Sequence, residues 1–429
     1  MRDNRPTSKT RSPKESLIRL FTWCWLISLS PALLASAITI DGKLDEPEWQ
    51  SARVWDQYVE SIPFSLAEPK HTQKVLILED EKGMYFGFIS DQAKETVRTN
   101  QHQRDNERAN SDKVGVSIDF DGDGLTGYGF SVSAGGSITD TIYRNENQGN
   151  TDWDADWESA TFVDENAWFA EVFIPWTVAP MKAVTGSTRT INVAFWRMVI
   201  SEGRANTSIP GNPRQEKFLS LLHPLKFTNH NPSKLDFFPY VNATQDRVKD
   251  KVDTKTGMEV FWKIDAGKQL NIAINPDFGQ VESDELVVNF SSSETFYSDK
   301  RPFFSENHSL FDVKSDEIFY IINTRRIGAA PDYDCSRYGT ELAEACAAAS
   351  TGISDIDVAL RYTQQGESID FGFLSALESD ADFSEGRQFY ALRSVKNGEN
   401  YSVGYLGTLA DRPFIDRTAT VHSIDWLYR

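Results

Sequence analysis

Cysteine, histidine and positive charge are all scarce in this chain of 429 residues, and each shortage excludes a class of function. The three cysteines, Cys24, Cys335 and Cys346, do not stand at the short paired spacing of a zinc ligand set. The six histidines, at positions 71, 102, 223, 230, 308 and 422, are too scattered to suggest a metal cluster. The zincin H-E-x-x-H, the G-x-S-x-G nucleophile elbow and a glycine-rich phosphate loop are also missing. Lys and Arg number 44 against 63 Asp and Glu, a net charge of −19, and no basic cluster in the mature part offsets it. Such a surface repels phosphate backbones, so nucleic acid is not expected as a partner. Disorder is excluded by a hydrophobic fraction of 40% and an aromatic fraction of 12%, enough for a sizeable core.

Long hydrophobic runs are missing as well, with one exception at the start. Arg2, Arg5, Lys9, Arg11 and Lys14 precede an apolar run over 20–34, which closes on Ala35-Ser36-Ala37. A basic flank, a short apolar stretch and a small-x-small site predict a secretory signal peptide over 1–37. A membrane-anchoring helix is the alternative, but the run is short for a span and contains Pro31. In an exported chain, Cys335 and Cys346, eleven apart, favour one disulfide closing a surface loop, with two free thiols as the other reading.

What fills the rest is strand pattern. Apolar or alternating runs at 75–78, 85–90, 114–120, 127–132, 169–174 and 191–199 are separated by Gly, Asn and Asp. They predict an all-β fold, an antiparallel, jelly-roll-like sandwich over 38–225. One short helix is expected near Trp49 and Ala52, capped by Asp45 with Pro47 and Glu48 in its first turn. The polar, proline-containing stretch over 226–233 reads as a linker. Beyond it, over 234–429, alternation becomes stricter. Met258, Val260, Trp262 and Ile264 share one face, as do Ile356, Val358, Leu360 and Tyr362, then Ile369, Phe371 and Phe373, then Tyr401, Val403 and Tyr405. Strands of this kind fit an outer-membrane β-barrel, apolar face to lipid and polar face to a lumen, and equally a second soluble sandwich. The alternation is unfinished at Trp426-Leu427-Tyr428-Arg429, so the expectation is a barrel or its first part. The acidic stretch from Asn275 to Phe304 breaks the strand pattern. It reads either as a lumen-filling element whose Asp277, Glu282, Asp284 and Glu285 meet basic wall residues, or as a solvated loop.

Candidate chemistry is sparse. Trp153 and Trp157, four apart in a polar stretch, could display flat faces to sugar rings, with Asp154, Asp156, Asn147 and Asn150 as hydroxyl partners. Trp49, Trp168, Trp176 and Trp196 stand in apolar strand contexts and read as core. Asp119, Asp121 and Asp123 alternate around a glycine turn, a donor set suited to a structural calcium; a plain hairpin turn is the competing reading. No other cofactor is called for. Among 63 acids no pair is marked out as the carboxylates of a glycosidase, so hydrolysis of O-glycosyl bonds is kept only as an alternative.

Two parts of the chain resemble known families. Ile40-Asp41-Gly42-Lys43-Leu44-Asp45-Glu46-Pro47-Glu48-Trp49, then Tyr85-Phe86-Gly87-Phe88, Asp119-Phe120-Asp121-Gly122-Asp123-Gly124 with Tyr128, Trp153-Asp154-Ala155-Asp156-Trp157-Glu158, Trp168 and Ile174-Pro175-Trp176 resemble a carbohydrate-binding module of family nine. Asn275-Pro276-Asp277-Phe278-Gly279-Gln280-Val281-Glu282, Phe296, Lys300-Arg301-Pro302-Phe303-Phe304 and Arg325-Arg326-Ile327-Gly328 resemble the bacterial outer-membrane domain of unknown function that commonly follows such a module. The resemblance implies a sandwich on or beneath an outer-membrane barrel of a Gram-negative cell, with lipid and a poly- or oligosaccharide as partners. It also implies a clamp of two aromatic residues around the sugar, without assigning it to positions. The expected function is non-catalytic carbohydrate binding at the envelope, linked to carbohydrate catabolism. The alternative is an outer-membrane channel or transporter whose sandwich is a scaffold.

Overall fold

The computed structural model describes residues 38–106, 109–144, 146–151, 153–246, 251–277, 299, 301–305, 308–311, 313–315, 319–350, 352–398 and 401–428. The expected signal peptide, Phe278, Gly279, Gln280, Val281, Phe296, Lys300 and the acids Glu282, Asp284 and Glu285 lie outside them. Among the described residues no helix is long and apolar enough to cross a membrane, which says nothing of strands.

Thirteen strands make the N-terminal part: β1 (Arg53–Trp55), β2 (Val59–Ile62), β3 (Gln73–Glu79), β4 (Gly83–Asp91), β5 (Lys113–Asp119), β6 (Thr126–Ser133), β7 (Ile138–Arg144), β8 (Gln148–Asn150), β9 (Glu158–Val163), β10 (Ala167–Pro175), β11 (Thr188–Val199), β12 (Arg204–Thr207) and β13 (His223–Thr228). They form two antiparallel sheets, β1-β3-β4-β10-β9 and β2-β12-β11-β5-β6-β7-β8, with β13 beside the first half of β11. The strands alternate because one face of each sheet is buried against the other. Val75, Phe86, Phe88, Val116, Phe130, Trp168 and Phe195 are among the side chains filling that interior. Trp49, Trp168 and Trp176 are buried as expected, whereas Trp196 is only half-buried. The short helix is a 3-10 turn, Pro47–Ser51, whose N-cap is Glu46 rather than Asp45, with no side-chain cap. It is held by Glu171, which accepts from Asp41 N, Gly42 N and Trp49 Nε1 at 2.8, 2.8 and 3.2 Å.

A third sheet follows, an antiparallel meander that curls into half a barrel. Its strands are β14 (Lys234–Asp246), β15 (Lys251–Asp265) and β16 (Lys268–Ile274), then, after a two-residue ladder of β17 (Lys314–Ser315) and β18 (Phe319–Tyr320), β19 (Ile356–Gln365), β20 (Ile369–Glu378), β21 (Gln388–Asn397), β22 (Tyr401–Arg412) and β23 (Arg417–Tyr428). The helices are α1 (Pro302–Ser305) and α2 (Thr340–Ala349). The two faces separate as the alternation predicts: Leu235, Phe237, Val241, Ile369, Val403 and Trp426 are exposed, while Asn271, Arg361, Thr363 and Arg393 are buried. Ile356 departs from its predicted face. A register shift between Ile356 and Val358 turns it inward, where it is 3% exposed.

Sandwich and third sheet belong to one compact unit that begins at Ile40. Residues 226–228 of the predicted linker complete β13, and the remainder is tied down. Asn229 Nδ2 donates to Val184 O and Gly186 O at 3.0 and 2.9 Å, and His230 stacks on Trp176 with centroids 5.2 Å apart. Cys335 and Cys346 form the expected disulfide, joining the segment before α2 to its last turn.

Candidate functional site

Asp140, on the inner face of β7, is fully buried. Its carboxylate accepts from Trp157 Nε1 at 2.7 Å and Ala155 N at 2.8 Å, and pairs with Arg104. Arg104 reaches on to Asp154 Oδ1 at 2.8 Å and donates to Ala155 O at 3.1 Å. Asp105 accepts from Asp140 N, and burial beside these acids pushes its carboxyl up to about 6. The loop 153–157 is therefore drawn down onto the sheet by a buried charge. Trp157 goes with it: 7% exposed, edge-on to Phe130 at 5.6 Å, its N–H committed to Asp140. Trp153 is half-buried over Tyr128 and Phe130, at 4.9 and 5.9 Å. Asp156 points away, 3.3 Å from Lys234 Nζ on β14. The structure brings Trp153, Trp157 and Asp154 together, but only Trp153 keeps ring surface at the solvent; the pair is not a displayed platform.

The three alternating aspartates are engaged by backbone N–H groups of their own turn and by Lys182. Asp119 accepts from the backbone N–H of Asp121, Gly122 and Gly124 at 3.1, 2.8 and 2.8 Å. Asp121 accepts from Lys182 N, and Asp123 pairs with Lys182 Nζ at 2.6 Å. Burial raises Asp119 to about 6 and Asp121 to about 7. The ammonium of Lys182 places one positive charge beside Asp123, and among the described residues no three His, Cys, Asp or Glu side chains are grouped to hold a metal. The donor set does not fit calcium, because the oxygens it would need are committed to N–H groups and to Lys182.

A different pair of aromatics lies on the outer face of the second sheet. Trp196 on β11 pairs in register with Gly115 on β5, and a Cβ added to that glycine would stand 2.6 Å from the indole. Tyr143 on β7 lies over Gly129 of β6 and Gly149 of β8, where added Cβ atoms would stand 3.0 and 3.2 Å from its ring. Both rings are half-buried. Between them the same face carries Ser117, Ser131, Thr139 and Thr141, placed by the register Trp196–Gly115–Ser131–Thr139 and its neighbour Ala194–Ser117–Gly129–Thr141. Ser117 Oγ is buried without a hydrogen-bond partner among the described residues. Flat rings laid on glycines, flanking a floor of hydroxyls, are the elements of a sugar site. The sequence reading missed this pair because Trp196 sits in an apolar run. The available signal was the presence of Gly115, Gly129 and Gly149 in β5, β6 and β8, glycines that mark a sheet face approached closely from outside.

Residues 231–353 match the family described as Domain of unknown function (DUF5916). No curated protein matches the chain. Two solved structures are similar to part of the chain. One is a carbohydrate-binding module of family nine from Caldicellulosiruptor kristjanssonii in complex with cellotriose, 12% identical, with a TM-score of 0.32, covering 44% of this chain and 88% of its own. The other is a candidate carbohydrate-binding protein from Bacteroides uniformis, 11% identical, with a TM-score of 0.33, covering 42% and 88%.

Proposed function

We propose that this chain binds oligosaccharide without catalysis, across the outer face of its second sheet between Trp196 and Tyr143. The observation that carries the reading is the pair of rings laid on Gly115 and on Gly129 and Gly149, with serine and threonine hydroxyls between them. Pyranose rings offer C–H-rich faces to flat aromatics and hydroxyls to short polar side chains. The test is calorimetric titration of the folded full-length chain with xylo-, cello- and manno-oligosaccharides. Saturable binding to one series, weakened at least ~10-fold by Trp196→Ala and by Tyr143→Ala, is expected. No binding of any series by a folded chain would sink the proposal.

A second observation favours an envelope location, the setting in which such binding would serve carbohydrate catabolism. Exposed apolar side chains continue across the outer face of the third sheet, from Leu235 and Phe237 through Ile369 and Leu392 to Ile424 and Trp426. A band of this extent is costly in water and matches the acyl region of a bilayer. Flotation of the refolded chain with phospholipid vesicles tests it; a chain left at the bottom of the gradient would count against membrane contact.

A further inference from the structure

The concave side of the third sheet is occupied by the chain itself. Phe303, Phe304, Phe311 and Ile327 are at most 4% exposed and pack on Ala359, Ala376 and their neighbours. Gly372 of β20 is the floor under this contact: a Cβ there would stand 2.6 Å from Phe311 and 2.9 Å from Leu310. Three arginines of the wall, Arg361, Arg387 and Arg393, are buried. The Arg361 guanidinium lies over the Phe303 ring at 5.5 Å. Arg393, paired with Asp425, donates to Leu310 O at 3.1 Å. At the far end Arg387 is clamped by Glu378 at 2.6 Å and donates to Ala329 O and Ala330 O, while Gly328 N donates to Glu378. Within the segment, Arg301 pairs with Asp299 and caps the carbonyls of Thr324 and Ile327 at 2.7 and 2.8 Å.

We infer that the described residues between Arg301 and Ala330 form a fixed stopper, so that the concave face they cover is a dry, arginine-pinned core and not a path for solutes. A water-filled lumen would leave these arginines hydrated. Instead Arg301, Arg387 and Arg393 spend donors on carbonyls and carboxylates and Arg361 lies against a ring, an arrangement whose partial loss is costly. The inference rests on the inner face alone and holds whether or not the outer face meets lipid.

The test uses the full chain carrying Cys24→Ser, so that the native disulfide leaves no other cysteine, with one thiol added at a time. Ala359→Cys, Ala376→Cys and Ala391→Cys report the concave face, and Gln388→Cys serves as the exposed reference. With a charged, water-soluble maleimide, the three inner thiols are expected to react at least ~100-fold more slowly than the reference, since labelling requires opening. Rates within ~10-fold of the reference would show water at the face and overturn the stopper. Adding Gly372→Leu, which fills the place of Phe311, is expected to raise labelling at Ala391→Cys by ~10-fold or more. Arg387→Ala, which frees the Ala329 and Ala330 carbonyls, replaces it if that chain does not fold. Unchanged labelling in a folded variant would show that the segment does not protect the face, and the inference fails.

Discussion

Asp140 carries more of the loop 153–157 than either tryptophan in it. Its carboxylate is fully buried and serves Trp157 Nε1, Ala155 N and Arg104 together. Removing it leaves the buried Trp157 N–H and the Ala155 N–H without their acceptor, while Arg104, 39% exposed, keeps Asp154, so Asp140→Ala should cost about 1–3 kcal/mol. Asp156→Ala, which breaks only an exposed contact with Lys234, should change stability by less than about 0.5 kcal/mol. Urea unfolding of the full chain, followed by tryptophan fluorescence, compares the two; equal midpoints would refute the assignment. The loop also shows where the sequence was legible and where it was not. The aromatic and acidic residues at 153–157 were recognisable as a unit. Their direction was not, because it is set by Asp140, a polar residue in Ile138–Arg144 that pattern alone would place in solvent. Trp196 inverts the case, an aromatic in an apolar run that faces outward because its neighbour across the ladder is Gly115.

At the scale of elements, period-two alternation was a dependable guide wherever a strand has one packed and one exposed face. It located β3, β4, β5, β6, β10 and β11 of the sandwich and β15, β19, β20 and β22 of the third sheet with their apolar faces, and it misplaced Ile356, which a bulge turns inward. The segment over 301–330 was hard to read because its packed side chains, Phe303, Phe304, Phe311 and Ile327 among them, follow no strand or helix period. Its described part is held by phenylalanines and arginines; of the acids that the lumen-filling reading, as against a solvated loop, sets on a basic wall, Asp277 accepts from Asn242 Nδ2 at 2.7 Å. Two predictions belong here. Gly115→Ala should push the Trp196 indole off its strand, shifting tryptophan emission and weakening oligosaccharide binding at least ~10-fold while the far-ultraviolet spectrum stays that of the parent. Unaltered affinity would separate the glycine from the site. The Cys335–Cys346 bridge closes a short loop around α2, and its removal by Cys335→Ser with Cys346→Ser should lower local stability by about 2–3 kcal/mol. Limited proteolysis should then cut first within 335–350, and a cleavage pattern unchanged from the parent would contradict this.

For the whole molecule, the dominant fact is charge. The chain carries a net −19, and the sandwich adds carboxyl groups buried where ionisation is disfavoured. Burial raises Asp105 and Asp119 to about 6, and Asp121 and Glu171 to about 7, from ordinary values of 3.8 for Asp and 4.5 for Glu. Between those ordinary values and 6–7 the folded chain therefore holds more protons than the unfolded one. Stability must fall as pH rises through that window and level off above it. Glu202 works in the opposite sense: hydrogen bonds from Lys70 and His71 lower it to about 2, so its contribution is present above its ordinary value of 4.5 and is lost only in stronger acid. The two trends place the maximum between about pH 4.5 and 5.5, below neutrality, as expected for a surface whose self-repulsion also eases on protonation. Thermal unfolding of the full chain from pH 4 to 8 at fixed ionic strength should show the midpoint dropping steadily above about pH 5. Asp121→Asn, which removes one of the two highest-titrating groups while keeping an acceptor for Lys182 N, should flatten that slope near neutrality. A midpoint that instead rises toward pH 8 would mean that the buried carboxyls are already compensated in the folded chain.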